Sequence, residues 1–264
     1  MVRKNYFEIL NNMQFDPSVE YKNLLQLLSS NGLFEELVDK FLSYRNRKTF
    51  ISLDKFLEFC LSQADNELER LLIFSEILND ILPIVSPFNP YYKNDIYAIR
   101  ENIESFLNFI NHEFIELENG NQIIVEKNVY ASQVSQIISE TNIHEAIKVL
   151  EYNHFANKGN IERKKEILIS LAKYLEPLRT ELNSSDELKE VLKINNGKIS
   201  AVDKLFEMYN QFGLRHNNSK QYHNSMTEEE SERWYDDIYT STLFVVLSLD
   251  EAQILSRLNL LKSK

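Results

Sequence analysis

Glycine and proline are scarce in this chain, with 5 of each in 264 residues. A turn-rich all-β fold needs both residue types at its tight turns, so their scarcity argues against that class and favours long helices. Long apolar runs are missing as well, because no stretch approaches the roughly 18 consecutive apolar residues of a membrane-spanning helix. The first residues are too polar for the apolar segment of a signal peptide, so we expect a soluble protein without a membrane segment.

The chain also has little cysteine and no net positive charge. The single cysteine, Cys60, excludes an internal disulfide and fits the reducing cytoplasm, where we expect the protein to act. The formal net charge of -11 argues against a broad basic surface that coats DNA. A local cationic pocket that binds a nucleic acid is still compatible with this net charge.

Apolar residues at helical spacing fill most of the chain. From residue 3 to about residue 111 they predict a succession of helices, and one clear stripe runs from Leu68 to Ile81. Pro83 should kink or end that helix, and Ser52 should start another. The prediction is an all-α fold, mainly helical with one small β-hairpin.

The hairpin is predicted where the spacing changes from helical to alternating. The segments 114–117 and 122–125 flank Asn119 and Gly120, and the Asn-Gly pair supplies the positive φ angles of a tight turn. We place the domain boundary here. The N-terminal helical domain then covers 1–127, and a C-terminal helical domain covers 128–264.

Helical spacing resumes after the hairpin. We expect Pro177 to bend a regular helix and residues 195–197 to end a short one. Thr227 and Glu230 match a capping box, in which each side chain bonds the other's backbone N–H, so the next helix should begin there. A separate final helix is expected after Leu249.

A polar segment before that capping box concentrates groups that act on phosphates. It contains Arg215, His216, Lys220 and His223. A guanidinium fits phosphate oxygens, and a histidine can take a proton from a hydroxyl and return one. These residue types suit RNA cleavage, in which a base deprotonates the 2′-hydroxyl and a cation stabilises the charge on phosphorus. A hydrogen-bonded surface loop is the plainer interpretation of the same residues.

Metal and cofactor chemistry are not indicated elsewhere in the sequence. His112, His144 and His154 lie on separate segments without metal-ligand spacing, so we interpret them as structural. The sequence contains no glycine-rich phosphate loop and no zinc-binding or nucleophile motif. We therefore expect no metal site and no cofactor.

The flanks of the polar segment resemble a known family. The matching segments are 156–160, 175–179 and 205–216, followed by a long terminal helix. Arg215, followed at once by the polar His216 and later by His223, is similar to the motif of the HEPN superfamily. Seven residues separate Arg215 from His223, one more than the family usually has. The resemblance covers roughly residues 143–261, a little under half of the chain.

The resemblance implies an up-and-down helical bundle that works as a homodimer and cleaves RNA, for example tRNA, without a metal. It implies that His223 is the general base or acid, that Arg215 stabilises the scissile phosphate and that His216 orients one of them. The expected RNA contacts are Asn217, Lys220 and Tyr222. Relatives of this kind act in abortive infection or as toxins, so an antitoxin or a phage-derived trigger is an expected protein partner.

Two other hypotheses stay open. The chain has the features of a non-catalytic HEPN-like module that uses the same segment for protein–protein binding or regulation. It also fits an unrelated helical adaptor on which Arg215 and His223 are surface residues. Fold alone does not decide among these functions.

Overall fold

The structure, a computed structural model, describes residues 14–85, 89–215 and 226–262. It is 72% helical, and the strands in the described part form two small antiparallel pairs. The predicted class, mainly helical with a small β-hairpin, is therefore confirmed. The chain divides into two compact units, Met1–Ile124 and Val125–Lys264.

The N-terminal unit is built from amphipathic helices. They are α1 (Pro17–Ser29), α2 (Leu33–Lys40), α3 (Leu53–Leu61), α4 (Glu67–Ile81) and α5 (Lys93–Phe109). Helix α1 packs against α4 and α5, and α3 packs against α4. Each of these helices contributes buried side chains, among them Leu24, Leu37, Phe56, Phe74 and Ile99.

Local sequence signals set the ends of these helices. The Ser52 hydroxyl accepts from the Lys55 N–H at the start of α3, and Asn66 caps α4 in the same way. Helix α4 ends at Ile81, and Pro83 lies in the single 3₁₀ turn that follows. The predicted start at Ser52 and the predicted stop at Pro83 are confirmed.

The predicted hairpin is present as β1 (His112–Glu116) and β2 (Gln122–Glu126), which pair antiparallel. Gly120 has a φ of 77°, a value that a glycine adopts without strain. The turn is closed by the Asn121 carbonyl, which accepts from the Leu117 N–H at 2.8 Å. The Asn-Gly signal thus predicted the position of the turn, but Gly120 alone of the two residues has the expected positive φ.

The C-terminal unit is a helical bundle organised around one long helix. Its helices are α6 (Val129–Ser139), α7 (Ile143–Glu151), α8 (Ile161–Leu175), α9 (Arg179–Ser184), α10 (Asp186–Val191), α11 (Ser200–Gln211) and α12 (Glu228–Lys262). Helix α12 packs against α6, α8, α10 and α11. The core between them includes Leu168, Leu171, Phe206, Tyr209 and Ile238, all fully buried.

Three local predictions in this unit were wrong. Pro177 does not bend a continuous helix, because α8 ends at Leu175 and α9 begins at Arg179 after a turn. Residues 195–197 do not end a helix. They belong to a second small hairpin, in which the two-residue strands β3 (Ile194–Asn195) and β4 (Lys198–Ile199) pair antiparallel. No break follows Leu249, since α12 continues to Lys262. Asp250 is half-buried, and an aspartate within a helix costs little, so it does not stop α12.

The capping box at the start of α12 is confirmed. The Glu230 N–H donates to the Thr227 hydroxyl at 3.2 Å, and the Thr227 N–H donates to the Glu230 carboxylate at 2.9 Å. Among the described helices, α12 is long and apolar enough to cross a membrane by length and composition, and 39% of its most apolar window is buried inside the protein. Its buried side chains, including Tyr235 and Leu243, belong to the core of the C-terminal unit.

Candidate functional site

The candidate site begins where α11 ends. Gly213 has a φ of 67°, and its N–H donates to the Asn210 carbonyl at 3.3 Å. The Leu214 N–H donates to the Tyr209 carbonyl at 2.9 Å, which completes a Schellman motif. Leu214 is buried in the core. The path of the backbone just before Arg215 is therefore fixed.

Arg215 is held by three neighbours. Its Nε and Nη2 both donate to the carboxylate of Glu176, which lies in the turn between α8 and α9. Its Nη1 donates to Asn210 Oδ1 at 3.1 Å. Its guanidinium carbon lies 5.4 Å from the centroid of the Phe206 ring. The Arg215 side chain is only 11% exposed, so this arginine is ordered before any ligand binds.

A second arginine shares the same aromatic ring. The guanidinium carbon of Arg179 lies 4.7 Å from the centroid of Phe206, and its Nη2 lies 3.4 Å from Asp203 Oδ1. Lys198 Nζ approaches the same Asp203 oxygen at 3.4 Å.

With Arg215 and Glu176, this cluster holds three cationic side chains against two carboxylates. The charge of one cation is therefore in excess, in a chain whose net charge is -11. Arg179 and Lys198 share Asp203 at the start of α11, whereas Arg215 after its end is paired with Glu176, so the excess charge lies on the Arg179 side of the Phe206 ring.

The structure describes one of the predicted site residues. The others, His216, Asn217, Lys220, Tyr222 and His223, lie outside the described residues. Of the predicted catalytic residues, Arg215 is therefore the one whose surroundings can be specified.

The sequence pattern did not predict the partners of Arg215. Glu176 is 39 residues away in sequence, and Phe206 and Asn210 lie in segment 205–216, which entered the family resemblance without a role for either side chain. Residues 175–179 were included in the family resemblance without a role for any side chain.

A second polar cluster links α8 to α12. Lys164 is 6% exposed, and its Nζ lies 2.8 Å from Glu232 Oε1 and 2.7 Å from Asp236 Oδ1. The Tyr152 hydroxyl donates to the same Asp236 oxygen at 2.9 Å. Burial and the negative charge of Asp236 both raise the pKa of Tyr152 well above its ordinary value.

The backbone completes this second cluster. The Gly159 N–H donates to Glu232 Oε1 at 2.7 Å. Burial alone would raise the pKa of Glu232, but the hydrogen bonds from Lys164 and Gly159 lower it, and the net shift is downward. One lysine faces two carboxylates, so the cluster keeps a net negative charge while it connects α8 to α12.

A cavity of about 720 Å³ lies in the N-terminal unit. In its wall Asp80 Oδ2 accepts from the Tyr44 hydroxyl at 2.5 Å and from Asn46 Nδ2 at 2.7 Å. Burial, then the hydrogen bond and charge of Asp80, raise the pKa of Tyr44. Arg100 also lines the cavity, and among the described residues it has no ion-pair partner. The cavity lining therefore combines two arginines, Arg45 and Arg100, with two acids, Asp80 and Glu104.

No metal-like cluster accompanies these sites. Within residues 14–85, 89–215 and 226–262, no group of three or more His, Cys, Asp and Glu side chains is arranged to hold a metal ion. His112 Nδ1 lies 2.7 Å from the Ile110 carbonyl oxygen. The ring centroids of His154 and Phe155 are 4.4 Å apart, and the ring planes are tilted by 39°.

Comparison with protein-family models, with curated proteins and with solved structures finds no match to this chain. Function is therefore inferred from the residues around Arg215 and from their geometry.

Proposed function

We propose that this protein is a metal-independent endoribonuclease of the HEPN type, acting in the cytoplasm in phage defence or as a toxin. The observation that carries the proposal is the ordered Arg215, held beside Arg179 in a cluster with excess positive charge. The chain continues directly from Arg215 into the segment that contains His216 and His223. Arginine, histidine and RNA phosphate are chemically matched.

In the proposed reaction His223 takes the proton of the 2′-hydroxyl, and His216 orients the His223 side chain. The 2′-oxygen then forms a bond to phosphorus, and the bond from phosphorus to the 5′-oxygen breaks, with a proton returned to that leaving oxygen. Arg215 stabilises the charge that builds on the phosphate. Asn217, Lys220 and Tyr222 contact the RNA chain, and a second copy of the protein completes a homodimer.

Glu176 has a positioning role in this scheme. It holds the guanidinium of Arg215 in place while no RNA is bound, and its own side chain is 42% exposed. A phosphate can therefore displace the carboxylate outward into solvent and take over the two N–H donors. Because the carboxylate of Glu176 and an RNA phosphate compete for the same guanidinium N–H donors of Arg215, Glu176 also sets the affinity for RNA.

The test is cleavage of total tRNA and mRNA by the purified protein in EDTA. Arg215→Ala and His223→Ala should each lower the rate by roughly a hundredfold or more. The matched control is Arg233→Ala, which removes an exposed arginine paired with Glu229 on α12 and should leave the rate unchanged. Cleavage that survives both site substitutions, with the fold intact by circular dichroism, would reject the assignment.

A second candidate is a non-catalytic binding or regulatory module, and the contacts of Arg215 favour it. The bidentate bond to Glu176, the bond to Asn210 and the ring of Phe206 already satisfy the guanidinium. An arginine in that setting stabilises a helix end without any substrate. An antitoxin or a phage-derived trigger protein is then the partner.

Glu176→Gln separates the two candidates. In a nuclease this variant releases Arg215 for phosphate, so RNA should bind more tightly while some cleavage remains. In a structural anchor the same variant only weakens the fold, and the parent protein cleaves no RNA under any condition. RNA affinity by filter binding, together with urea denaturation, distinguishes these outcomes.

A further inference from the structure

The cavity of the N-terminal unit has no role in the proposed RNA cleavage. Its volume is about 720 Å³, and every residue that lines it belongs to the unit Met1–Ile124. The walls come from the chain just after α2, the end of α4, helix α5 and the hairpin of β1 and β2. A cavity of this size accommodates a small organic molecule and is larger than a single ion needs.

Two arginine side chains in the lining are available for an anion. Arg100, on α5, is exposed and has no ion-pair partner in the part of the chain that the structure describes. Arg45 Nη2 lies 4.0 Å from Asp80 Oδ1, and the Arg45 side chain is 66% exposed. Asp80 also accepts hydrogen bonds from Tyr44 and Asn46, so it keeps two partners when Arg45 turns to a ligand. Two guanidinium groups match the charge of a phosphate monoester, which approaches two negative charges at neutral pH.

Other parts of the lining suit a nucleobase. Phe114, Ile84 and Ile103 provide apolar surface on which a planar ring can pack. Asn79 Nδ2 donates to Gln122 Oε1 at 2.6 Å, and both amides line the cavity. The bond between them leaves the Asn79 carbonyl oxygen as an acceptor and the Gln122 amino group as a donor. The edge of a nucleobase presents the complementary donors and acceptors.

A carboxylate in the lining suits a sugar. Glu104 lies one helical turn after Arg100 on α5, and among the described residues it has no ion-pair partner. A carboxylate next to a phosphate site repels a bare phosphate, but it accepts hydrogen bonds from the hydroxyl groups of a ribose. The lining therefore has separate groups for a phosphate, a ribose and a base.

We propose that this cavity binds a ribonucleoside monophosphate. The phosphate of the nucleotide lies between Arg45 and Arg100, the ribose hydroxyls donate to Glu104, and the base packs on Phe114. A free amino acid fits less well, because its single carboxylate leaves one of the two arginines without a partner. This site does not depend on the proposed nuclease activity, since Arg215 belongs to the other unit.

Isothermal titration calorimetry of the purified full chain tests the proposal. The probes are AMP, GMP, CMP and UMP, each compared with its nucleoside and with inorganic phosphate. At least one monophosphate should bind, and its nucleoside and inorganic phosphate should each bind roughly tenfold more weakly or worse. Arg45→Gln and Arg100→Gln should each weaken binding of that monophosphate by roughly tenfold.

The matched control is Lys22→Gln, which removes one positive charge from an exposed position on α1 outside the cavity lining. It should leave the affinity unchanged. Arg215→Ala should also bind as the parent does, which distinguishes this site from the proposed RNA site. Circular dichroism verifies that each variant is folded.

Four results would overturn the proposal. None of the four monophosphates binds at about 1 mM, or both arginine variants of the cavity bind as tightly as the parent. Arg215→Ala abolishes binding, which would place the nucleotide at the RNA site. A 5′-phosphorylated oligonucleotide binds more tightly than the monophosphate, which would assign the cavity to an RNA end. Absence of RNA cleavage by the parent, with nucleotide binding intact, rejects the nuclease and leaves this site standing.

Discussion

At the scale of single residues, Lys164 is the side chain whose removal should matter most to stability. It is 6% exposed and compensates both Glu232 and Asp236. Lys164→Met should lower the free energy of unfolding by about 2 kcal/mol, because two carboxylates lose their counter-charge while Asp236 stays partly solvated. Urea denaturation measures this. Lys173→Met, an exposed lysine on the same helix, should change the free energy by less than about 0.5 kcal/mol.

The pKa of Glu232 predicts how stability depends on pH. Its pKa is lowered in the folded protein from an ordinary value of 4.5. Such a carboxylate stabilises the fold above pH 4.5, and that contribution is lost as the pH falls from there through the folded-state pKa. The parent should therefore lose stability more steeply below pH 4.5 than Glu232→Gln. Equal slopes in urea denaturation across that range would contradict the prediction.

At the same scale, the sequence was least informative about which charged side chains form ion pairs with each other. Lys164 stands in a run with other charged residues, Glu162, Arg163 and Lys165, which is typical of a solvated helix face. It is buried because α12 presents two acids to it. The bond between Glu176 and Arg215 likewise joins positions 39 residues apart. Neither contact has a local signal, because both depend on how separate helices pack.

At the scale of elements, the end of α11 depends on one glycine. Gly213 has a φ of 67°, so Gly213→Ala should lower the free energy of unfolding by about 1 kcal/mol. Gly213→Asn should cost less, because asparagine tolerates the left-handed region better. Thermal unfolding of both variants checks this. An alanine variant as stable as the parent would mean that the helix end readily adopts another conformation.

The sequence predicted helix starts and tight turns better than helix continuity. The caps at Ser52 and Thr227 and the turn at Gly120 are set by residues within four positions of each other, and they were predicted correctly. Past Asp250, Ala252 is buried in the core, and the described residues after it are half-buried or exposed. The helix continues there because an aspartate within a helix costs little. A polar residue alone is thus a weak signal for a helix end.

At the scale of the whole molecule, the chain should behave as two folding units. The core of the C-terminal unit is formed among residues 131–252, so a fragment of residues 125–264 carries its complete apolar core. We expect this fragment to be helical by circular dichroism and to unfold cooperatively in urea. A fragment that is unfolded, or that melts without a cooperative transition, would show that the division at Ile124 is not a folding boundary.

The packing of Trp234 against Phe212 has a spectroscopic consequence. The chain contains one tryptophan, and its ring lies 5.3 Å from the ring of Phe212, three residues before Arg215. The indole is 41% exposed, so its emission is sensitive to what approaches this end of α11. Fluorescence of the unlabelled protein therefore reports ligand binding near Arg215, and an RNA titration should shift or quench that emission.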